Sequence, residues 1–218
     1  MQPSPPRLLT PDELLTTTPA VRKRLDFSRP VPLALVRECL EVAIQAPTGG
    51  SRQHWHFVVV TDPEKVRAIA ELYRRAWHAH NAVRTTNYPP GDIRGERLPK
   101  LVSSAMYLAD HMDQVPVLML ACVEGRVDNG ASSSRVAAHY ASILPAVWSF
   151  MLAARARGLG TVLTTAHLDY ERECAEIVGV PYATVTQAAL VPVAFYTGTG
   201  FRPSARVPLE SVVHWGAW

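Results

Sequence analysis

Residues 135–168, RVAAHYASILPAVWSFMLAARARGLGTVLTTAHL, are the stretch around which the rest of the chain is arranged. By its period it is a helix that feeds a strand. Ile143, Leu144, Val147, Phe150, Met151 and Ala154 recur at the three-and-four spacing of one apolar face, and Arg155 and Arg157 stand in the last turn, where a cation suits the helix dipole. Gly158, able to take positive φ, stops the helix. Thr161 to Thr165 then reads as a β-branched strand with hydroxyls at its far end. Pro145 is discordant, because inside a helix it removes a hydrogen bond at a cost of about 3 kcal/mol. A kink there, or a helix that starts near it, is therefore expected. A helix apolar around most of its circumference belongs in the centre of a fold.

With 218 residues, 48% hydrophobic and 19% charged, the chain has an ordinary globular composition and reads as one domain over 1–218. It shows no apolar run of about 18 residues and no charged-then-apolar leader, so it is expected to be cytoplasmic and to avoid membranes. Cys39, Cys122 and Cys174 are odd in number, far apart and set among apolar neighbours, which predicts reduced core residues. A formal charge of +3 is too small to imply nucleic acid.

Residues 1–9 are Pro-rich and without period, an arm. Thr10-Pro11-Asp12-Glu13 carries a capping threonine, a first-turn proline and a glutamate three after the cap, the capping-box pattern. Arg22, Lys23 and Arg24 are three adjacent cations, which charge alone reads as a solvated run. Helices are expected over Leu33 to Ala46, from Asp62-Pro63 to about Ala82, over Leu101 to Met112, and from a cap at Asp169 to before Gly179. Strands are expected over His54 to Thr61, Pro116 to Val123 and Gln187 to Tyr196. Between them, 83–100 loses its period and reads as a mobile excursion or lid. The tail over 198–218 closes on Trp215 and Trp218, which should dock on this subunit or on another.

The chain has no Gly-x-Gly-x-x-Gly after a strand, no Walker sequence, no Gly-x-Ser-x-Gly and no Cys-x-x-Cys. His54 and His56 lack a nearby Cys or carboxylate to complete a metal set, so no metal site is expected. His139 and His167 read as polar boundary residues. What remains is distributed: Ala46-Pro47-Thr48-x-x-Ser51-x-Gln53-x-Trp55-x-Phe57, then Leu152-Ala-Ala-Arg-x-x-Gly158-Leu-Gly-Thr161, then a terminal Arg206-Val-Pro-Leu. The order of these pieces, from about Thr16 to the end, resembles the nitroreductase family of FMN-dependent oxidoreductases.

That resemblance implies an α+β fold with a mixed, mostly antiparallel central sheet flanked by helices, in an intertwined homodimer with FMN at the subunit interface. It implies NAD(P)H as co-substrate, a small electron-poor acceptor such as a nitroaromatic or a quinone, and a ping-pong cycle. Arg22, Lys23, Arg24 and Arg206 would hold the FMN phosphate, a role that suits guanidinium forks. Pro47, Thr48, Gly49, Ser51 and Gln53 would meet the ring from the partner subunit, and Leu163, Thr164 and Thr165 would lie along its other side. The cofactor carries the chemistry, so no side chain is expected to be catalytic. The family often has Arg and Ser where this chain has Pro19 and Ala20, Lys at Ser204, Asn at Ser51 and, in some relatives, Glu at Thr165. Two rival functions stand beside this one. The first is a flavin enzyme that dehydrogenates or reductively removes a substituent, and the second is a protein that stores FMN with little turnover.

Overall fold

The computed structural model describes residues 9–82, 87–128 and 130–218, so most of the arm over 1–9 and the start of the 83–100 segment lie outside the described residues. In chain order the elements are α1 (Pro11–Thr16), β1 (Leu25–Asp26), α2 (Leu33–Ala43), β2 (Trp55–Val60), α3 (Pro63–Ala82) and α4 (Ile93–His111). They continue with β3 (Val117–Glu124), α5 (Ser133–Ala141), α6 (Leu144–Ala156), β4 (Leu159–Thr161), α7 (Glu171–Val178) and β5 (Val185–Tyr196). The order across the sheet is β1, β5, β3, β2, with β4 also on β5. All pairings between these strands are antiparallel, and a lone parallel bridge joins Gly125 to Val185.

The two faces of the sheet build two cores. Leu118, Leu120 and Cys122 of β3 pack with α3 residues such as Ile69 and Tyr73 and with Cys174 of α7, while Val117, Met119, Ala121 and Val123 face Val36 and Cys39 of α2 and Val147 and Phe150 of α6. This is the period-two alternation of a strand covered on both sides. All three cysteines are buried and free.

The central stretch departs from one continuous helix. Proline stands in the first turn of α6, so the chain breaks at Ser142 and Ile143 and restarts where a missing amide costs nothing. By length and hydropathy 133–156 could cross a membrane, yet it is two helices, and α6 buries Ala146, Val147, Phe150, Met151, Ala153 and Ala154 in this fold. Gly158 takes φ +80°, as its stop requires. The strand that follows is shorter than expected. β4 ends at Thr161, and of 162–165 only Thr164 pairs again, with Leu190.

Two boundaries also moved. α4 begins at Ile93 rather than Leu101, capped by the Asp92 side chain on the Arg94 amide, so the later part of the 83–100 excursion is helix. α7 starts at Glu171 after a 3₁₀ turn over Ala166–Tyr170, so Asp169 lies inside that turn and caps nothing. The capping box of α1 is present in full. His139 and His167, expected at a boundary, are buried, the latter completely.

Candidate functional site

The basic segment is held by a tight junction. The Val21 amide donates to the Thr161 carbonyl at 2.9 Å, and β1 pairs Leu25 and Asp26 with Tyr196 and Phe195 at the end of β5. Gly160 makes that junction possible, since a Cβ there would lie 2.9 Å from Val21 Cγ1 and 3.0 Å from Leu25 Cδ2. So the residue before Arg22 is fixed on the last residue of β4 by a backbone hydrogen bond.

The three cations then part company. Arg24 spends its guanidinium on carbonyls of the following turn, Thr197 at 2.7 Å, Gly200 at 3.0 Å and Thr199 at 3.2 Å, and lies over the Phe201 ring at 4.1 Å. Lys23 reaches Ser103 Oγ on α4 at 2.8 Å. Arg22 is half-buried beside Tyr73, without a carboxylate or other hydrogen-bond acceptor among the described residues. Burial holds its guanidinium below the ordinary value, partly offset by Tyr73. A desolvated cation without a counter-ion is costly unless an anion completes it. Arg206 is exposed and lines a cavity of about 330 Å³ against α4, where Arg97 Nη1 donates to the Ala205 carbonyl at 3.3 Å. Its strip and that of Lys23 thus meet α4 six residues apart, at Arg97 and Ser103, about 9 Å along the axis.

Past β4 the chain alternates. Thr164 is buried, its amide and hydroxyl both donating to the Leu190 carbonyl, while Leu163 and Thr165 face outward. The amide of Thr165 donates to no group among the described residues. The amide of Leu163 likewise has no acceptor among them, so both outward-facing residues of this strip keep a free donor.

The Pro47 to Gln53 loop carries the strain of the chain. Gly50, Ser51 and Gln53 take φ of +61°, +53° and +50°, and the latter two are the only non-glycine residues with positive φ among those described. Each costs of order 1 kcal/mol or more, and such positions gather where a site constrains the backbone. The Gln53 amide on Thr48 Oγ1 and the Gly49 amide on Ser142 Oγ, both at 3.2 Å, hold the turn.

One protomer does not bring the two halves together. The loop feeds β2, three strands from β4, which is about 14 Å across the sheet. Trp55 opposes Val123 and thereby Thr186, four residues from the Leu190 that pairs with Thr164, which adds about 14 Å along the strands. No single flavin ring spans that separation.

The profile of the nitroreductase family matches residues 21–195, which takes in the basic segment, the strained loop and the β4 strip. The chain belongs to the nitroreductase family. It is 30% identical over 212 residues to the NADH dehydrogenase of Thermus thermophilus, covering 93% of this chain and 97% of that one. It is 27% identical over 156 residues to iodotyrosine deiodinase 1 of Rattus norvegicus, covering 70% of this chain and 51% of that one. The crystal structure of the FMN and NADPH-dependent nitroreductase NfnB from sphigopyxis sp. strain HMH superposes with a TM-score of 0.69 at 18% identity, over 96% of this chain and 100% of that one. The nitroreductase fold expected from the sequence is therefore the fold found.

Two features of this nitroreductase-family site were not read from sequence. The diversion of Arg24 into the 197–200 turn has a signal only in hindsight, the aromatic pair Tyr196 and Phe201 flanking that turn. Tyr73, which shares the burial of Arg22, looked like one more apolar position on α3.

Proposed function

We propose that this protein is an FMN-dependent NAD(P)H oxidoreductase that reduces nitroaromatic, quinone or similar electron-poor acceptors, with each flavin held between two copies of the chain. The observation that carries the reading is Arg22, a half-buried guanidinium without a counter-ion among the described residues, whose neighbour Val21 is bonded to Thr161 at the end of β4, four residues before the free amide of Thr165. A phosphate would supply the missing anion, with Lys23 and Arg206 adding charge from the same flank. Leu163 and the Thr165 amide would meet the ring on one side, and Pro47, Thr48, Gly49, Ser51 and Gln53 of the other subunit would meet it on the second. Arg24 and Thr164 support this site from behind, fixing the 197–200 turn and the β5 contact.

FMN, when bound, supplies the hydride chemistry. The chain supplies grip, orientation and a neutral side chain at position 165, with NAD(P)H and acceptor using the same open face in turn. A second reading, reductive removal of a substituent from an aromatic acceptor, is supported by the likeness to iodotyrosine deiodinase.

The purified protein should show flavin absorption bands that bleach anaerobically on mixing with NADPH or NADH. Arg22→Ala should lower flavin affinity about tenfold to a hundredfold, the loss of one charge-assisted contact. Full flavin occupancy in Arg22→Ala would move the phosphate elsewhere, and flavin that stays oxidised with both nucleotides would leave a storage protein. Release of halide from a halogenated phenol, set against reduction of a nitroaromatic, separates the two enzymatic readings.

A further inference from the structure

Behind the strained loop lies a second cavity, of about 670 Å³, walled by Gly49, Gly50 and Arg52 and by one face of α5. On that face Arg135, His139 and Ser142 follow at helical spacing. His139 is only 9% exposed, and its Nε2 is buried without a hydrogen-bond partner among the described residues. His54, across the cavity with its ring centroid 6.4 Å away, has a buried Nδ1 in the same condition. Buried imidazole nitrogens left unpaired are uncommon, and unlike the core residue His167 these two line a cavity whose occupant could satisfy them.

The charges around them have one sign left over. Arg126 is consumed by Asp128 and Glu171, each engaged twice at 2.8 to 2.9 Å, and Glu124 is taken by His56 at 3.1 Å. Arg52 and Arg135 have no carboxylate partner among the described residues. Burial first, then His54, Arg135 and Arg126, hold the His139 imidazole below its ordinary pKa, so the ring is neutral in a positive field.

We propose that this cavity is a second ligand site, taking a small molecule whose phosphate or carboxylate group lies between Arg52, Arg135 and His139. Its volume is that of an organic ligand. It shares the loop with the flavin reading but stands apart from the Arg22 end, and its occupant is recognised by charge. Because an anion beside His139 favours the protonated ring, binding tightens as pH falls from 8 to 6. The other titratable and charged groups around His139 are His54 across the cavity, Arg52, Arg126 and Arg135, and the carboxylates Glu124, Asp128 and Glu171, which are paired with His56 and Arg126.

Calorimetric titration of the full-length protein with inorganic sulfate, inorganic phosphate and succinate tests this, with flavin content followed separately by absorbance. Sulfate keeps its two charges across this range, so its pH dependence reports the protein alone. The expected result is saturable binding of at least one anion. Sulfate or phosphate without succinate assigns a phosphate ligand, and the reverse assigns a carboxylate. Any sulfate binding should be several-fold tighter at pH 6 than at pH 8. Arg135→Ala, an exposed change, should weaken the binding at least tenfold with the melting temperature and flavin bands unchanged, and His139→Asn should flatten its pH dependence. The proposal is overturned if none of the three anions saturates, or if Arg135→Ala binds as the unmodified protein does. Loss of the flavin reading would show as absent absorption bands and would leave the heats of anion binding to decide this site on their own.

Discussion

Single residues on this fold divide by what their polar atoms already do. Arg22 and Arg24 are two positions apart, yet Arg24 has three carbonyls within 3.2 Å and Arg22 has, among the described residues, only the neighbouring Tyr73. Thr164 and Thr165 divide in the same way, one bonded to Leu190 and one facing out. Sequence singled out the segments proposed for the site, but could not say which member of each is left without a partner, because that depends on where β5 and the 197–200 turn lie. Thr165→Glu tests the outward assignment. At an effective dielectric of about 20, a carboxylate about 4 Å from charge developing on a ring is worth roughly 4 kcal/mol, and a fraction of that slows flavin reduction about tenfold. Stopped-flow reduction at the unmodified rate, in a variant that melts normally and binds FMN fully, would remove 163–165 from the site. His167 belongs to the core. It is fully buried with neither ring nitrogen bonded, and burial lowers its pKa to about 3. The unfolded chain therefore takes up a proton below about pH 6.5 that the native state refuses, so stability is fully present above that pH and falls toward pH 3, by up to about 1.4 kcal/mol per unit. Melting curves of His167→Leu should show this part of the acid dependence missing.

Secondary-structure elements were mostly legible, and the exceptions have causes. The capping box of α1, the apolar stripe of α6 and the runs of β2, β3 and β5 follow from period and caps that local sequence carries. The early start of α4 was hidden because the apolar period is lost over 83–100, a segment that also holds Gly95 and Pro99, both poor helix formers. Gly95 is there because a Cβ would come 3.1 Å from Tyr88 Cβ, and Pro99 is tolerated inside the helix with its neighbours in place. β1, only Leu25–Asp26, is too short for any pattern and exists because β5 offers it an edge. Such pairings live in tertiary structure. Gly160 is the element-level control on the site, and Gly160→Ala should push Val21 and Leu25 away from β4. A core contact at 2.9 Å cannot be relieved by a flexible tip, so a cost of about 1–3 kcal/mol is expected. Because the displaced segment carries Arg22, flavin affinity should fall by more than the melting temperature suggests. Equal flavin titrations for Gly160→Ala and the unmodified protein would show that the junction does not position the phosphate grip.

At the scale of the molecule, one chain has too much surface. It exposes 12934 Å², where a compact monomer of 24.0 kDa exposes about 9,900 Å². Trp148 on α6 is 40% exposed, and Trp215 and Trp218 are 92% and fully exposed, so the tail, which touches α4 through Ala205, leaves the two tryptophans at its end uncovered by their own subunit. The separation of the 47–53 loop from Arg22 points the same way, since an isologous pair would return each loop to the other chain's phosphate end. Light scattering should give twice the chain mass at micromolar concentration. A sharper test is complementation. Arg22→Ala removes the phosphate end, and Gly50→Val, a β-branched residue at φ +61°, disrupts the loop. Each variant alone should bind little FMN. Refolded together in equal amounts, half of the pairs are mixed, and each mixed pair joins one intact Arg22 to one intact loop, so about one quarter of the sites should recover flavin. A site built within one chain can gain nothing from mixing. Recovered flavin near one quarter therefore supports the shared site, while flavin no higher than the mean of the two separate variants would return the whole site to a single subunit.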